Sequence, residues 1–244
     1  GIAMFLLMLS KTKLRPTRED RRLDREILSE TFTIGLPALG TTFVSCFGYI
    51  AFARMVSGMG TTIFAAHSIA ITAEQIVYIP GYGPRVATST LVGNALGEKD
   101  IRKLKATERV SILITLLIMV VNGIGLYLFA YPFMRLFTNS VNAARIGSEM
   151  LRLVSFSEPF FGLMIVLEGI SYGMGRTKHV FACEAVSMWG IRIFGTFLCV
   201  NVFGLGLKAV WLCMIADNIC KAILLYIFRP KHVEENADDR GELR

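Results

Sequence analysis

The sequence predicts an all-α integral membrane protein, a bundle of six transmembrane helices. Two observations carry this. The chain is 53% hydrophobic and 18% charged, with a mean hydropathy of +0.53; average soluble proteins run at roughly 45–50% apolar and about 25% charged. The charges are also segregated. Long windows hold almost none and short windows hold nearly all, the pattern of spans and loops.

Residues 1–9 are apolar but far short of the roughly 20 residues that cross a bilayer. They are expected to be the end of a truncated preceding span, and the chain a part of a longer protein. Residues 10–28 read as a cytoplasmic linker carrying Lys11, Lys13, Arg15, Arg18, Arg21, Arg22 and Arg25. The six-helix body is expected over residues 29–228, and residues 229–244 form a charged cytoplasmic tail.

The first apolar segment runs near Thr31 to Val56. The second, Thr62 to Leu96, is too long for one straight crossing and holds Pro80, Gly81, Gly83 and Pro84. Proline removes an intrahelical hydrogen bond, so one long bent helix is predicted there. Its end, Val92-Gly93-Asn94-Ala95-Leu96-Gly97, places two glycines four apart on one face, where a neighbouring backbone can approach. Gly97 suits a left-handed helix cap. The third segment, Val110 to Tyr131, is apolar all round apart from Asn122, so a lipid-facing helix is expected. An amphipathic connection, Pro132 to Gly147, leads to the fourth segment, Glu149 to Tyr172, with Pro159 inside it. Gly169 and Gly173 give that segment a small-residue packing face. The fifth and sixth run from Val180 to Val200 and from Leu205 to Phe228.

Orientation follows from Lys and Arg. Eighteen lie in the linker, in the loops after the second and fourth spans, and in the tail; five lie in the opposite connections. The linker and tail are therefore placed in the cytoplasm. The same distribution argues against nucleic acid despite a net charge of +7, since a nucleic-acid face needs its bases on one folded surface. The five cysteines all lie in apolar segments without a Cys-x-x-Cys pair, and the three histidines are scattered. No metal, disulfide framework or cofactor is expected. Phosphate-loop and His-Glu-x-x-His patterns are absent, so an enzyme is not expected.

An ionisable residue inside a membrane is a functional candidate by default. Those present are Glu74, Arg85, Glu158, Glu168, Glu184, Arg192, Asp217 and Lys221. The cation-coupling candidates are Glu74, Glu158, Glu168 and Asp217. Arg192, Lys221 and Arg85 are their charge partners, with Asp217 and Lys221 one turn apart on one face. Carboxylates exceed nearby bases, so at least one should carry a proton or hold a cation.

Five landmarks in order carry a resemblance: Ile34-Gly35-Leu36-Pro37; Ala65-Ala66-His67 ahead of Glu74 and Pro80; Val92-Gly93-Asn94-Ala95-Leu96-Gly97; Ser171-Tyr172-Gly173-Met174-Gly175-Arg176-Thr177; and Gly204-Leu205-Gly206-Leu207-Lys208-Ala209-Val210-Trp211. Together they resemble the multidrug and toxic compound extrusion (MATE) family, from about Ile27 to Phe228. The resemblance implies the C-terminal lobe of a two-lobe, twelve-helix transporter in a cell membrane, bacterial inner membrane by expectation. Its partners would be the bilayer, a missing N-terminal six-helix lobe and an organic, often cationic, substrate. Export would run against inward H+ or Na+ by alternating access, with that ion in place of a cofactor.

In several members of the family the coupling acids lie in the first and fourth helices of this half. The landmarks align those positions with Ser45 and Phe161, neither acidic. The role is thus open between Glu158, one turn before Phe161, Glu168, two turns after, and the other lobe. Phe43, Ser45, Tyr49, Pro159, Phe160 and Phe161 are the substrate-cavity candidates, because aromatic faces attract organic cations. Two alternatives stand beside this reading: an exporter of lipids or lipid-linked sugars on the same superfold, which Arg85 and Arg192 would suit, and a membrane assembly subunit without a transport cycle.

Overall fold

The computed structural model describes residues 25–228. The stub 1–9, the linker up to residue 24 and the tail 229–244 lie outside the described residues. From Arg25 onward the chain is helical, so the last residues assigned to the linker belong to the first helix.

Seven helical runs follow: α1 (Arg25–Ser57), α2 (Thr61–Gly97), α3 (Ile101–Phe137), α4 (Val141–Ser155), α5 (Glu158–Gly173), α6 (Thr177–Val202) and α7 (Leu207–Ile227). α1, α2, α3, α6 and α7 are each long and apolar enough to cross a membrane. α4 and α5 meet at 60° and together make a sixth crossing. The fold is therefore the expected all-α, six-span membrane bundle.

Three details differ from the sequence reading. The fourth span is broken: α4 ends at Ser155, and Pro159 sits in the first turn of α5 rather than inside a continuous helix. That position suits proline, whose missing N–H would have no intrahelical partner there anyway. The connection from Pro132 to Gly147 is itself helical, because α3 runs through Pro132 to Phe137 and α4 begins at Val141. The Ser140 hydroxyl accepts from the Ala143 amide and starts α4. α3 also starts before its apolar stretch, at Ile101, with the Asp100 carboxylate accepting from the Lys103 amide. Finally, the left-handed residue after α2 is Lys99, at φ 57°, and Gly97 is the last helical residue. The amides of Lys99 and Asp100 bond back to Leu96 and Ala95, so the reversal falls two residues later than the glycine.

α2 is one helical run through Pro80 and Pro84. Its 37 residues span about 55 Å at 1.5 Å per residue, well beyond the hydrocarbon core of a bilayer. It packs against α3, α4 and α5, while α1 packs mainly on α6. α3 buries one stripe, Thr115, Met119, Gly123, Leu126, Ala130 and Met134, and exposes Leu113, Leu117, Val121, Ile124 and Leu128 on the other. Its outward face is apolar, as lipid contact requires.

The Gly-x-Gly stretch has two separate physical jobs. A Cβ on Gly169 or Gly173 would stand 2.6 Å from the Arg85 carbonyl oxygen or 2.5 Å from that of Ser89, so both let α5 lie directly on the α2 backbone. Gly175, at φ 71°, turns the chain from α5 into α6. Backbone cannot yield as a side-chain tip can. Gly173→Ala is expected to lose about 1–3 kcal/mol, seen as earlier thermal unfolding in detergent, whereas Gly97→Ala, with open space around it, should melt like the parent.

Two apolar cores form, one toward each end of the bundle. The first holds Phe52, Ala73, Val154, Trp211 and Met214 among others; the second holds Val92, Phe161, Ile165, Cys183 and Ala222. Glu74, Glu158, Arg192, Asp217 and Lys221 fall in sequence between members of the two cores. The polar residues thus make a layer in the middle of the bundle.

A buried acid pair beside an ion-pair network

The polar layer is assembled from five helices. α2 contributes Glu74 and Tyr78, α5 contributes Glu158 and Glu168, and α1 contributes Ser45 and Tyr49. α6 contributes Glu184, Ser187 and Arg192, and α7 contributes Asp217, Asn218 and Lys221. Glu74, Glu158, Glu168, Glu184, Arg192, Asp217 and Lys221 are all buried.

Three acids meet three bases. Arg192 Nε lies 2.8 Å from Asp217 Oδ2 without an aligned hydrogen bond between them, a charge pair. Its Nη2 donates to Asn218 at 3.3 Å, and its guanidinium stands over the Tyr49 and Phe52 rings at 5.4 and 5.8 Å. The Ser187 hydroxyl meets both the Asp217 carboxylate and, at 2.8 Å, its backbone carbonyl. Lys221 Nζ lies 2.6 Å from Glu184 and 3.9 Å from Asp217, and Ser45 donates to Glu184. Nearer the cytoplasmic end assigned by charge, Arg85 pairs with Glu168 at 3.5 Å and stacks over Tyr172 at 5.3 Å.

Glu74 and Glu158 are left over. Tyr78 donates to Glu74 from one turn along α2. Glu158 is fully buried, and both its carboxylate oxygens lack a hydrogen-bond partner among the described residues. It lies against Gly123 of α3, whose missing Cβ would stand 3.2 Å from the Glu158 Cβ. Glu74 and Glu158 are close enough for their charges to act on each other. Two carboxyls cannot both stay ionised in such a site: an unpaired buried charge is held only if a proton or a cation offsets it.

The four coupling candidates thus divide. Glu74 and Glu158 come together without a base, while Glu168 and Asp217 each hold one. Phe161 is buried and stacked on Tyr78 with ring centroids 3.8 Å apart, so it roofs the acid pair. Phe43, Tyr49 and Phe160 are exposed, and Pro159 is half-buried in the first turn of α5. Phe43 lines an open groove of about 560 Å³ between α1 and α6 with Phe47, Ile50, Arg54 and Trp189. Tyr78 and Ser187 escaped the sequence reading. The spacing of Tyr78, four after Glu74, is a signal that could have found it; the partnership of Ser187 with Asp217 crosses two helices and leaves no such trace. Among the described residues there is no group of three His, Cys, Asp or Glu side chains placed to hold a metal.

The comparisons with known proteins agree with this architecture. The MatE family model matches residues 37–198. The probable multidrug resistance protein NorM of Thermotoga maritima is 30% identical over 201 residues, 82% of this chain and 43% of that protein. That of Photorhabdus laumondii is 27% identical over 232 residues, 93% and 51% respectively. Among solved structures, a MOP superfamily transporter from Pyrococcus furiosus superposes with a TM-score of 0.85 at 20% identity, over 95% of this chain and 53% of that one. The Vibrio cholerae MATE transporter VcmN in the bent form gives 0.85 at 16%, over 97% and 54%. These two likenesses are of fold. The chain spans about half the length of the curated relatives it matches. Six apolar crossings, the glycine-packed α2–α5 contact and the family match over most of the described residues lead to one assignment: this chain belongs to the MatE family.

Proposed function

We propose that this chain is one six-helix lobe of a secondary antiporter. The whole protein exports organic, often cationic, compounds in exchange for H+ or Na+, and a second lobe completes its central cavity. Alternating access comes from rocking the two lobes about that cavity, as in other repeat-built transporters. The membrane is a cell membrane, with the basic linker and the tail on its cytoplasmic side. The multidrug resistance relatives support the substrate class.

The observation that carries the reading is the acid pair. A membrane protein with no ion cycle gains nothing from two buried carboxyls in one place, one of them without any partner. An exchanger needs such a site, because a group that is stable only with its ion bound links ion occupancy to conformation. The bundle supplies it in the polar layer, between two apolar cores that move as blocks.

The test uses the full-length protein in proteoliposomes loaded with a cationic dye. An inward H+ or Na+ gradient is expected to speed dye efflux by at least about tenfold, about 1.4 kcal/mol of driving force, and collapsing the gradient should remove the gain. Efflux indifferent to both gradients would contradict antiport. Competition by lipid-linked sugars but not by cationic dyes would move the protein to the lipid-exporting branch of the superfold.

A further inference from the structure

We infer that Arg192 is the positioning residue that turns proton loss from the Glu74–Glu158 pair into movement of α6. The inference rests on the antiport reading above and specifies H+ as the ion.

The donor set favours a proton. The oxygens gathered at the pair are two carboxyls and the Tyr78 hydroxyl. Hard cations take about six or more oxygens. A proton needs only two. Around the pair, α3 brings Asn122, which donates to the Val77 carbonyl, and Gly123; neither is charged. α4 brings the Ser155 carbonyl, and its Arg152 stands outside over Tyr127. α1 brings Tyr49. α7 brings Asp217 and Lys221, and α6 brings Glu184 and Arg192. Of the three bases in the spans, Lys221 is held by Glu184 and Arg85 by Glu168. Arg192 is the base whose charge acts on Glu74.

Arg192 is also loosely held. Its Nε meets Asp217 off the hydrogen-bond axis, its bond to Asn218 is long, and two aromatic rings carry the rest of its charge. It belongs to a π-helical segment, Met188–Ile193, and a second one follows at Leu198–Val202. A π turn holds an extra residue and can return to α geometry by a register shift. When the pair releases its proton to water on the side the cavity faces, one negative charge remains. Arg192 then turns from Asp217 toward Glu74 and draws the π segment with it. Rebinding a proton lets it return to Asp217.

Trp189 sits in the same segment and is 44% exposed, so its emission reports the movement. In the full-length protein, a pH titration is expected to shift Trp189 emission, and Trp189→Phe identifies that component. Arg192→Gln combined with Asp217→Asn removes base and acid together and leaves no orphan charge. This variant should melt like the parent, lose the Trp189 response and lose about tenfold of gradient-driven efflux. A normal response and normal coupling in that variant would reduce Arg192 to a neutraliser of Asp217 and overturn the inference. If the double variant melts early, Arg192→Lys carries the test: it keeps the charge without the planar fork, and the midpoint of the Trp189 response should move by about one pH unit. An unmoved midpoint overturns the inference. The antiport reading fails separately, if Glu158→Gln keeps both the Trp189 response and coupled efflux.

Discussion

Glu158→Gln should cut ion-driven efflux on the order of 100-fold while the protein folds as before. Glu158 is fully buried and its oxygens have no hydrogen-bond partner among the described residues. Removing its ability to ionise therefore breaks no contact. An unsatisfied buried amide costs about 1–3 kcal/mol, an unpaired buried charge several kcal/mol or more. Thermal unfolding in detergent should be unchanged or slightly later, because the amide has the shape of a protonated carboxyl. A 100-fold loss is about 2.7 kcal/mol of transition-state stabilisation, what would be lost if a step that needs an ion has none to bind. Dye efflux from proteoliposomes with and without the gradient checks the first half of this expectation, and the melting curve the second. Early melting would assign Glu158 to the scaffold.

Asp217→Ala should have the opposite signature, a large loss of stability. Asp217 is fully buried, sits 2.8 Å from Arg192, meets Ser187 and lies 3.9 Å from Lys221. Removing one member of a buried pair leaves its partner charged and dry, at a cost of about 3–5 kcal/mol. For a domain of this size that lowers the Tm by on the order of 10 °C. The double neutralisation with Arg192→Gln should recover most of the loss, since it leaves no charge behind. Calorimetry or a thiol-reactive melting assay reads both. An Asp217→Ala protein as stable as the parent would mean that the pair adds nothing to the fold.

The contrast between Glu158 and Asp217 was partly visible in the sequence. Charges stand out in apolar stretches, so the buried acids and bases could be named and their excess of acid noticed. Asp217 and Lys221 share a helix face, which puts them together on paper; in the structure Lys221 turns to Glu184 instead, 2.6 Å away. That choice depends on how α6 and α7 are rotated about their axes, which no local pattern encodes. The coming together of Glu74 and Glu158 rests on the packing of α2 against α5, and so on Gly169 and Gly173, whose role is legible but whose partner is not. The spans themselves were readable because hydropathy sets them. Ser155-Phe156-Ser157 gave little warning that α4 would end there, since short polar residues occur within spans as well. The two π segments of α6 carry ordinary apolar residues, Met188 to Ile193 and Leu198 to Val202, and owe their geometry to neighbours rather than to composition.

The most direct measurement counts ions against substrate. Proteoliposomes holding the full-length protein would report dye efflux together with internal pH and Na+. The parent protein is predicted to take in ions in fixed proportion to dye released, and a protein with Glu74→Gln and Glu158→Gln to pass dye down its own gradient with no ion entering. Ion entry in unchanged proportion from that double variant would contradict the assignment of coupling to this pair.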